Sequence, residues 1–300
     1  MPQSELAAEV DRFVAELARR NVSPNTVKAY SGDLEQFAGY FSRPDLAAPS
    51  PAEFETWQIR EWLGDLYQRK LSAVSMRRKI AALRAFFKFL FREGKVRTNV
   101  ARLVRLPKAP QKLPVVMTAE KVNRLVDDVG SNTLERPHPA RDLAIFELLY
   151  GCGLRISELT GLNVEDLDRE QGWLRVRGKG RKERLSPFGS KAAAAIQRYL
   201  VDRQAPPGEA AMFVNHRGGR LTSRGAHWIV NFYGRHLAKD PTIHPHSFRH
   251  AYATHMLADG ADLRAIQELL GHARLSTTQR YTQVTLTELM AVYDKSHPKA

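Results

Sequence analysis

A histidine and an arginine that could act together on a phosphate group lie three positions apart in the segment 244–250, which reads His-Pro-His-Ser-Phe-Arg-His. That spacing places His246 and Arg249 on one face of a helix. A histidine with an ordinary pKa of about 6.5 exchanges protons at neutral pH, and a guanidinium can hold two phosphate oxygens at once. The pair therefore suits acid–base chemistry on an anion. The alternative is an exposed polar helix start, which is the commoner setting of an isolated His-x-x-Arg.

Four further positions carry side chains that could join such a site. Arg155 follows a glycine-rich turn and has Glu158 one helical turn later, Lys179 lies between two glycines, and His272 follows a glycine. Tyr281 stands nine residues after that histidine in a polar stretch. Each has an ordinary structural alternative when taken alone; the arginine and glutamate, for example, could form a surface salt bridge.

Several common phosphate-handling motifs are missing from the sequence. The stretch 172–180 has the wrong glycine spacing for a P-loop, and Gly180 stands where serine or threonine is required. We find no H-E-x-x-H, no zinc-like grouping of cysteine and histidine, and no acidic cluster for two divalent ions beside the basic motifs. The single cysteine, Cys152, has no such neighbours and is predicted to be a buried small hydrophobe. We therefore expect no metal, no nucleotide and no other cofactor.

The charge of the chain points to a polyanionic partner. The 300 residues carry a net charge of +14, with an isoelectric point near 10.0. Residues 1–68 hold 6 basic and 11 acidic side chains, whereas residues 69–105 hold 12 basic side chains and a single acidic one, Glu93. This local excess favours a surface that faces nucleic acid over a face that is merely solvated.

The elements that must carry these residues begin with a helical region. Apolar spacing and cap residues predict helices over residues 4–20, 24–41, 56–70 and 72–93. In the last of them an apolar and aromatic stripe is expected to form core, and basic side chains flank it. The candidates for contact with DNA phosphates are Arg77, Arg78, Lys79, Arg84 and Lys88.

A proline-spaced basic segment after residue 106 predicts a linker at 107–117, between a helical domain at 1–106 and a second domain at 118–300. In the second domain, residues 173–177 predict a strand that returns through 184–186 as a hairpin with Lys179 at its tip. The apolar stretch 212–214 could add a strand. Helices are expected at 139–150, 190–203, 223–238, 247–259, 262–270 and 286–295. The fold class is thus a mainly α first domain followed by an α+β domain with a small antiparallel sheet.

The order of the candidate residues resembles that of the tyrosine recombinases of the phage integrase family, and the resemblance spans essentially the whole chain. The six positions that carry it are Arg155, Lys179, His246, Arg249, His272 and Tyr281. The segments 269–272, 276–279 and 292–298 look most like the bacterial Xer recombinases, nearer the XerC than the XerD branch. The resemblance implies a helical core-binding domain and a catalytic domain that together cleave and rejoin DNA at specific sites.

The resemblance also implies roles for the individual residues. Tyr281 would attack the phosphodiester and form a 3′-phosphotyrosyl link without metal or ATP. Arg155 and Arg249 would hold the non-bridging oxygens, with His272 as a third donor. Glu158 would only orient the site.

Two proton transfers complete the chemistry that the resemblance implies. His246 is the candidate base for Tyr281, and Lys179 would protonate the departing 5′ oxygen.

The partners implied are a double-stranded recombination site, a second related recombinase of the XerD kind in a tetramer on DNA, and a septal DNA translocase of the FtsK kind that activates chromosome-dimer resolution at cell division. The C-terminal helix near 286–295 could dock on a neighbouring subunit or pack on its own domain. No export signal or apolar span is evident, so we expect a protein in the cytoplasm, at the nucleoid, without membrane insertion. The alternatives are an XerD-like enzyme, a mobile-element integrase, a type IB topoisomerase and a DNA-binding protein without catalysis.

Overall fold

The computed structural model describes residues 4–42, 48–105, 116–178, 183–271 and 283–298. The chain divides into two compact units, Met1–Leu113 and Pro114–Ala300. Each unit buries a hydrophobic cluster of its own. The predicted combination of a helical first part and an α+β second part with a small antiparallel sheet is confirmed.

In the first unit, serine side chains mark where the helices begin. Ser4, Ser23 and Ser72 each accept a hydrogen bond from the backbone N–H three residues later, so their hydroxyls cap the helices that follow. The helices of this unit are α1 (Glu5–Arg19), α2 (Pro24–Phe41), α3 (Thr56–Gln68) and α4 (Ala73–Arg92).

The aromatic stripe of α4 forms core, as the sequence predicts. Phe86 and Phe87 are fully buried and meet at 5.6 Å between ring centroids, close to edge-on. Phe37 of α2 contacts Trp62 of α3 in the same edge-on manner at 5.2 Å. Such arrangements of large rings stabilise a core beyond the area they bury.

The basic side chains of α4 divide into two groups, and this corrects one prediction. Lys79 is buried, and its ammonium lies 2.8 Å from Asp33 Oδ1 and 2.5 Å from Gln36 Oε1. Because a charge withdrawn from water needs a close partner, Lys79 serves the interior of the unit, and its prediction as a phosphate contact is wrong.

The other four basic candidates of α4 are exposed residues, and some of them also bond to groups within the protein. Arg78 pairs with Asp33, and Arg84 donates to the carbonyl oxygens of Ala101 and Val104. Arg77 and Lys88 lie on the exposed side of the helix. The assignment of these four side chains to DNA contact stays a prediction.

The second unit is mainly helical and contains two helices that the sequence patterns did not predict, α5 and α7. Its helices before the sheet are α5 (Ala119–Gly130), α6 (Pro139–Gly151) and α7 (Ile156–Gly161). Those after the sheet are α8 (Ser190–Asp202), α9 (Ser223–His236), α10 (Pro245–Ala258), α11 (Leu263–Leu270) and α12 (Gln283–Ser296).

In the part of the chain that the structure describes, three antiparallel strands lie in the order β1 (Leu167–Asp168), β2 (Trp173–Arg177) and β3 (Glu183–Pro187). The predicted antiparallel pairing of the hairpin is confirmed, with Trp173 opposite Pro187 at its open end and Arg177 opposite Glu183 next to the connecting segment. The stretch 212–214 does not form a regular strand. The backbone around it makes two isolated bridges, Asn163 with Ala211 and Val214 with Arg220, and these do not extend into a ladder of successive pairs.

Helix α12 packs on its own unit in this structure. Leu289 and Tyr293 are buried, and the Tyr293 hydroxyl accepts a hydrogen bond from the Gly189 backbone N–H over 3.1 Å. Its ring stacks on that of His297 at 4.9 Å. Docking of this helix on a neighbouring subunit stays a prediction.

Cys152 is fully buried between α6 and α7, as predicted. Its thiol donates to the Pro187 carbonyl oxygen over 3.3 Å, and burial raises the pKa of the thiol to about 12. Among the described residues, none of the helices combines the length and apolar character that crossing a bilayer requires.

Candidate active site

Arg155 enters the site from the turn that precedes α7, and Glu158 holds it there. The Arg155 backbone N–H donates to Glu158 Oε2 over 2.9 Å, and its guanidinium donates to Oε1 over 2.6 Å. Gly153 makes the turn possible with a φ of +56°, and a Cβ at this position would lie 2.8 Å from Leu270 and 2.9 Å from Tyr252. A side chain at position 153 is therefore excluded both by the backbone conformation and by the packing.

Glu158 is a buried carboxylate surrounded by three guanidinium groups. Besides Arg155, it accepts from Arg184 Nη2 over 3.0 Å, and Arg249 Nη1 lies 3.9 Å from the same oxygen. Burial by itself raises the pKa of Glu158, but the positive charge of Arg184 and hydrogen bonds from Arg184 and Arg155 outweigh it and keep the pKa below its ordinary value. The carboxylate is therefore ionised at neutral pH.

Arg249 is buried and oriented by two backbone carbonyls. Its Nη1 donates to the Gly153 carbonyl and its Nη2 to the Leu270 carbonyl, each over 2.6 Å. Burial, with repulsion from Arg155, lowers the pKa of the Arg249 guanidinium to about 10. The group therefore remains charged at neutral pH, and its orientation is fixed by the protein itself.

His246 lies one helical turn before Arg249, at the start of α10. Pro245 occupies the first position of this helix and His244 caps it, accepting from the Ser247 backbone N–H over 3.1 Å. Partial burial, followed by the charges of His244 and Arg249, lowers the pKa of His246 below its ordinary value. At neutral pH its imidazole is mainly uncharged and can accept a proton.

The structure also assigns to the cluster a residue that the sequence patterns did not predict, Arg184. It lies on β3, is buried, and donates through Nε to the Leu269 carbonyl over 2.8 Å as well as to Glu158. The last carbonyls of α11 have no partner within their own helix, so Arg184 and Arg249 together stabilise the end of that helix. Position 184 lies on the buried face of β3, opposite Val176 of β2, whereas alternation of residue types would place Leu185 on that face, so no pattern in the sequence indicated Arg184.

The structure thus brings together Arg155, Glu158, His246 and Arg249 of the predicted site. Lys179, His272 and Tyr281 lie outside the described residues. Lys179 belongs to the segment that joins β2 to β3, and His272 directly follows Gly271, which ends α11 with a φ of +67°. Tyr281 stands two residues before the start of α12.

The arrangement of the described residues favours binding of an anion. Three guanidinium groups converge on one carboxylate, so positive charge is in excess, and the Arg155 side chain is 37% exposed. Over the part of the chain that the structure describes, no three histidine, cysteine, aspartate or glutamate side chains group closely enough to hold a metal ion.

Two family models match the chain, one in each unit. The phage integrase family model matches residues 115–288, and the model of the phage integrase N-terminal SAM-like domain matches residues 10–94. The first covers the arginine cluster, and the second covers most of α1 to α4.

The chain is similar over nearly its full length to curated proteins named tyrosine recombinase XerC. It is 42% identical to the one from Syntrophus aciditrophicus, across 99% of this chain and 98% of the relative. It is 45% identical to the one from Pelobacter propionicus, across 94% and 92%.

A solved structure of the Tn1549 transposon integrase in complex with circular intermediate DNA is similar in fold. Its TM-score is 0.70 at 20% identity, across 94% of this chain and 98% of that one. On the family models and the curated relatives together, the chain belongs to the tyrosine recombinases of the phage integrase family.

Proposed function

We propose that this tyrosine recombinase acts at specific DNA sites as an XerC-like enzyme, forming a 3′-phosphotyrosyl intermediate through Tyr281. The observation that carries the proposal is the cluster around Glu158, in which the protein holds Arg155 and Arg249 in place and their charges act on His246. A phosphodiester is an anion and resists attack by an anionic nucleophile. Positively charged donors must therefore neutralise its charge before a nucleophile can attack. This cluster supplies them.

In the proposed reaction Arg155 and Arg249 bind the non-bridging oxygens of the reacting phosphate. Negative charge on these oxygens grows in the pentacoordinate transition state, so fixed cationic donors stabilise that state more than the ground state. His272 is proposed as a third donor. Glu158 orients the arginines and does not contact the DNA.

Tyr281 forms the new bond to phosphorus, and His246 takes its proton. The bond between phosphorus and the 5′ oxygen breaks, and Lys179 protonates that oxygen as it leaves. The phosphotyrosyl bond conserves the energy of the broken one, so the 5′ hydroxyl of another strand can reverse the reaction and complete the exchange.

The biological setting that we propose follows the XerC names of the relatives. The enzyme would act on the chromosome in a tetramer with a second, XerD-like recombinase and resolve chromosome dimers under the control of an FtsK-like translocase. The exposed residues Arg77, Arg78, Arg84 and Lys88 of α4 would contact the DNA backbone. The helical domain at 1–106, the linker at 107–117 and the catalytic domain at 118–300 divide these tasks.

The central test is covalent trapping on a nicked suicide substrate that carries a candidate chromosomal site. We expect the unaltered protein to form an adduct that maps to Tyr281 and to a 3′ phosphate. Tyr281→Phe should bind the same DNA with unchanged affinity and form no adduct, since the ring remains and only the nucleophilic oxygen is lost.

Tyr293→Phe is the matched control, because it removes a buried tyrosine hydroxyl whose bond from Gly189 lies within the protein. It should form the adduct normally. An adduct that persists in Tyr281→Phe would show that another residue is the nucleophile.

A further inference from the structure

Arg184 is the least exposed of the three guanidinium groups around Glu158. Its side chain is 6% exposed, against 9% for Arg249 and 37% for Arg155. Among the described residues, it bonds to Glu158 and to the Leu269 carbonyl, and both bonds are internal. A side chain so enclosed does not reach a DNA phosphate, and its contribution must pass through other residues.

The carboxylate of Glu158 divides its two oxygens between different partners. Oε1 accepts from the Arg155 guanidinium, and Oε2 accepts from Arg184 and from the Arg155 backbone N–H. Arg249 approaches Oε2 only to 3.9 Å, which is beyond hydrogen-bonding distance, and bonds to Gly153 and Leu270 instead. Arg184 thus occupies the carboxylate oxygen to which Arg249 lies closest.

The formal charge of the cluster depends on the presence of Arg184. With three guanidinium groups and one carboxylate the net formal charge is +2, and without Arg184 it is +1. A phosphodiester carries one negative charge and its pentacoordinate transition state carries two. A cluster with the lower charge would match the ground state rather than the transition state.

We infer that Arg184 is a positioning residue that neutralises Glu158, so that Arg155 and Arg249 keep their positive charge for the reacting phosphate. The inference rests on the proposed function, because it assumes that these two arginines bind that phosphate. In the absence of Arg184, the Glu158 carboxylate would draw Arg249 toward itself and cancel part of the charge that the phosphate requires.

The first experiment compares three substitutions on the suicide substrate in the full-length protein. Arg184→Met removes the charge, and we expect adduct formation to slow by about 10²-fold, the loss typical of one transition-state donor. Arg184→Lys keeps the charge and should remain within about tenfold of the unaltered protein, although its single ammonium cannot also reach Leu269 as the guanidinium does. Arg198→Met, which removes an exposed arginine of α8, is the control and should be without effect.

The second experiment tests whether removing the charge of Glu158 restores adduct formation in the Arg184→Met variant. Glu158→Gln keeps the size and an acceptor oxygen but removes the charge that Arg184 balances. Placed in the Arg184→Met background, it should restore adduct formation by about tenfold, because Arg249 is no longer neutralised. A residue needed only for packing would not be rescued in this way.

The third experiment changes the substrate. A methylphosphonate at the cleavage position replaces a non-bridging oxygen by methyl and leaves the reacting group uncharged. On this substrate the unaltered protein and Arg184→Met should differ by less than about tenfold, since there is less charge for the arginines to stabilise. Arg184→Gln serves the same comparisons if circular dichroism shows that the methionine variant does not fold.

Several outcomes would overturn the inference. They are normal adduct formation by Arg184→Met, an Arg184→Lys as slow as Arg184→Met, and failure of Glu158→Gln to restore the methionine variant. The first leaves Arg184 without a role in the reaction, and the other two give it a role that does not depend on charge. If the unaltered protein forms no adduct at all, the proposed function fails and this inference fails with it.

Discussion

At the scale of single residues, the state of His246 at neutral pH follows from its partial burial and from the positive charges around it. Partial burial, His244 and Arg249 all disfavour its protonated form, so its pKa lies below the ordinary value of 6.5. A neutral imidazole can take the proton of Tyr281, whereas a protonated one cannot. Burial and the arginine that we propose as a phosphate ligand therefore both keep the proposed base available.

This geometry predicts how cleavage depends on pH. As the pH falls through the lowered pKa of His246 in the DNA-free protein, the imidazole becomes protonated and the rate of adduct formation at subsaturating protein and DNA should fall, with its midpoint below pH 6.5. His246→Asn should be slow and should lose this dependence. The measurement is the second-order rate of adduct formation on the suicide substrate between about pH 5 and pH 8, which reports the pKa of the DNA-free protein.

His216→Asn is the control, because this exposed histidine is not among the groups whose charges act on His246. It should leave the midpoint unchanged. A midpoint that stays in place in His246→Asn would assign the titration, and with it the base, to another group.

Some residues of this site could be predicted from the sequence, and one could not. Arg155 and Glu158 are one helical turn apart, so their contact could be expected from spacing, and Arg249 was identified by its place after His246. Arg184 could not be identified, because its partners Glu158 and Leu269 lie 26 and 85 positions away along the chain. A buried arginine on a strand becomes interpretable only when the fold brings its partners to it.

At the scale of elements, α4 serves two purposes on two faces. One face buries the aromatic stripe together with Lys79, whose ammonium joins α4 to Asp33 and Gln36 of α2 and lies 5.9 Å from the ring centroid of Trp62. The other face exposes Arg77 and Lys88. A basic residue on the buried face therefore supports the fold, whereas one on the exposed face is accessible to the DNA that we propose as the partner.

Substitutions on the two faces should therefore affect different properties, stability on the buried face and DNA binding on the exposed face. Lys79→Met leaves buried Asp33 with Arg78 as its cationic partner, and we expect the free energy of unfolding to fall by about 3 kcal/mol. Lys88→Met should change it by less than about 0.5 kcal/mol but should weaken DNA binding and lower the salt dependence of the binding constant by about one ion. Urea unfolding and binding titrations at several salt concentrations measure the two quantities.

The reverse pattern would contradict this division of α4. A stable Lys79→Met with weakened DNA binding would restore Lys79 as a phosphate contact. An unstable Lys88→Met would place that side chain in the structural network.

Helices with clear start signals and two or more turns were predictable. The pattern predicted 24–41 from Ser23 and Pro24, and α2 spans Pro24–Phe41. Helix α7 was missed because its six residues are too few to show helical periodicity. Helix α5 was missed although Thr118 caps it and apolar residues recur along it, so there the signal was present in the sequence.

At the scale of the whole molecule, each unit has a separate core. Phe37 and Trp62 are buried in the first unit, and Phe146 and Phe248 are buried in the second. Because each cluster is made within one unit, a cavity in one of them removes contacts from that unit alone.

Phe37→Ala should therefore destabilise the first unit by about 3 to 5 kcal/mol and leave the second unchanged. Differential scanning calorimetry of the full chain should show two transitions, with only one of them shifted. Phe146→Ala is the matched substitution and should shift the other. A single transition that moves as a whole in both variants would show that the units unfold together.

The burial of Cys152 has a practical consequence for experiments on this enzyme. It is the only cysteine in the sequence, it is fully enclosed, and its thiol pKa of about 12 leaves almost no thiolate at neutral pH. Maleimide dyes should therefore not react with the native protein. A cysteine introduced at an exposed position such as Arg198 would take up a single fluorophore while Cys152 stays in place. Strand exchange could then be followed on individual DNA molecules with a protein whose interior is unaltered.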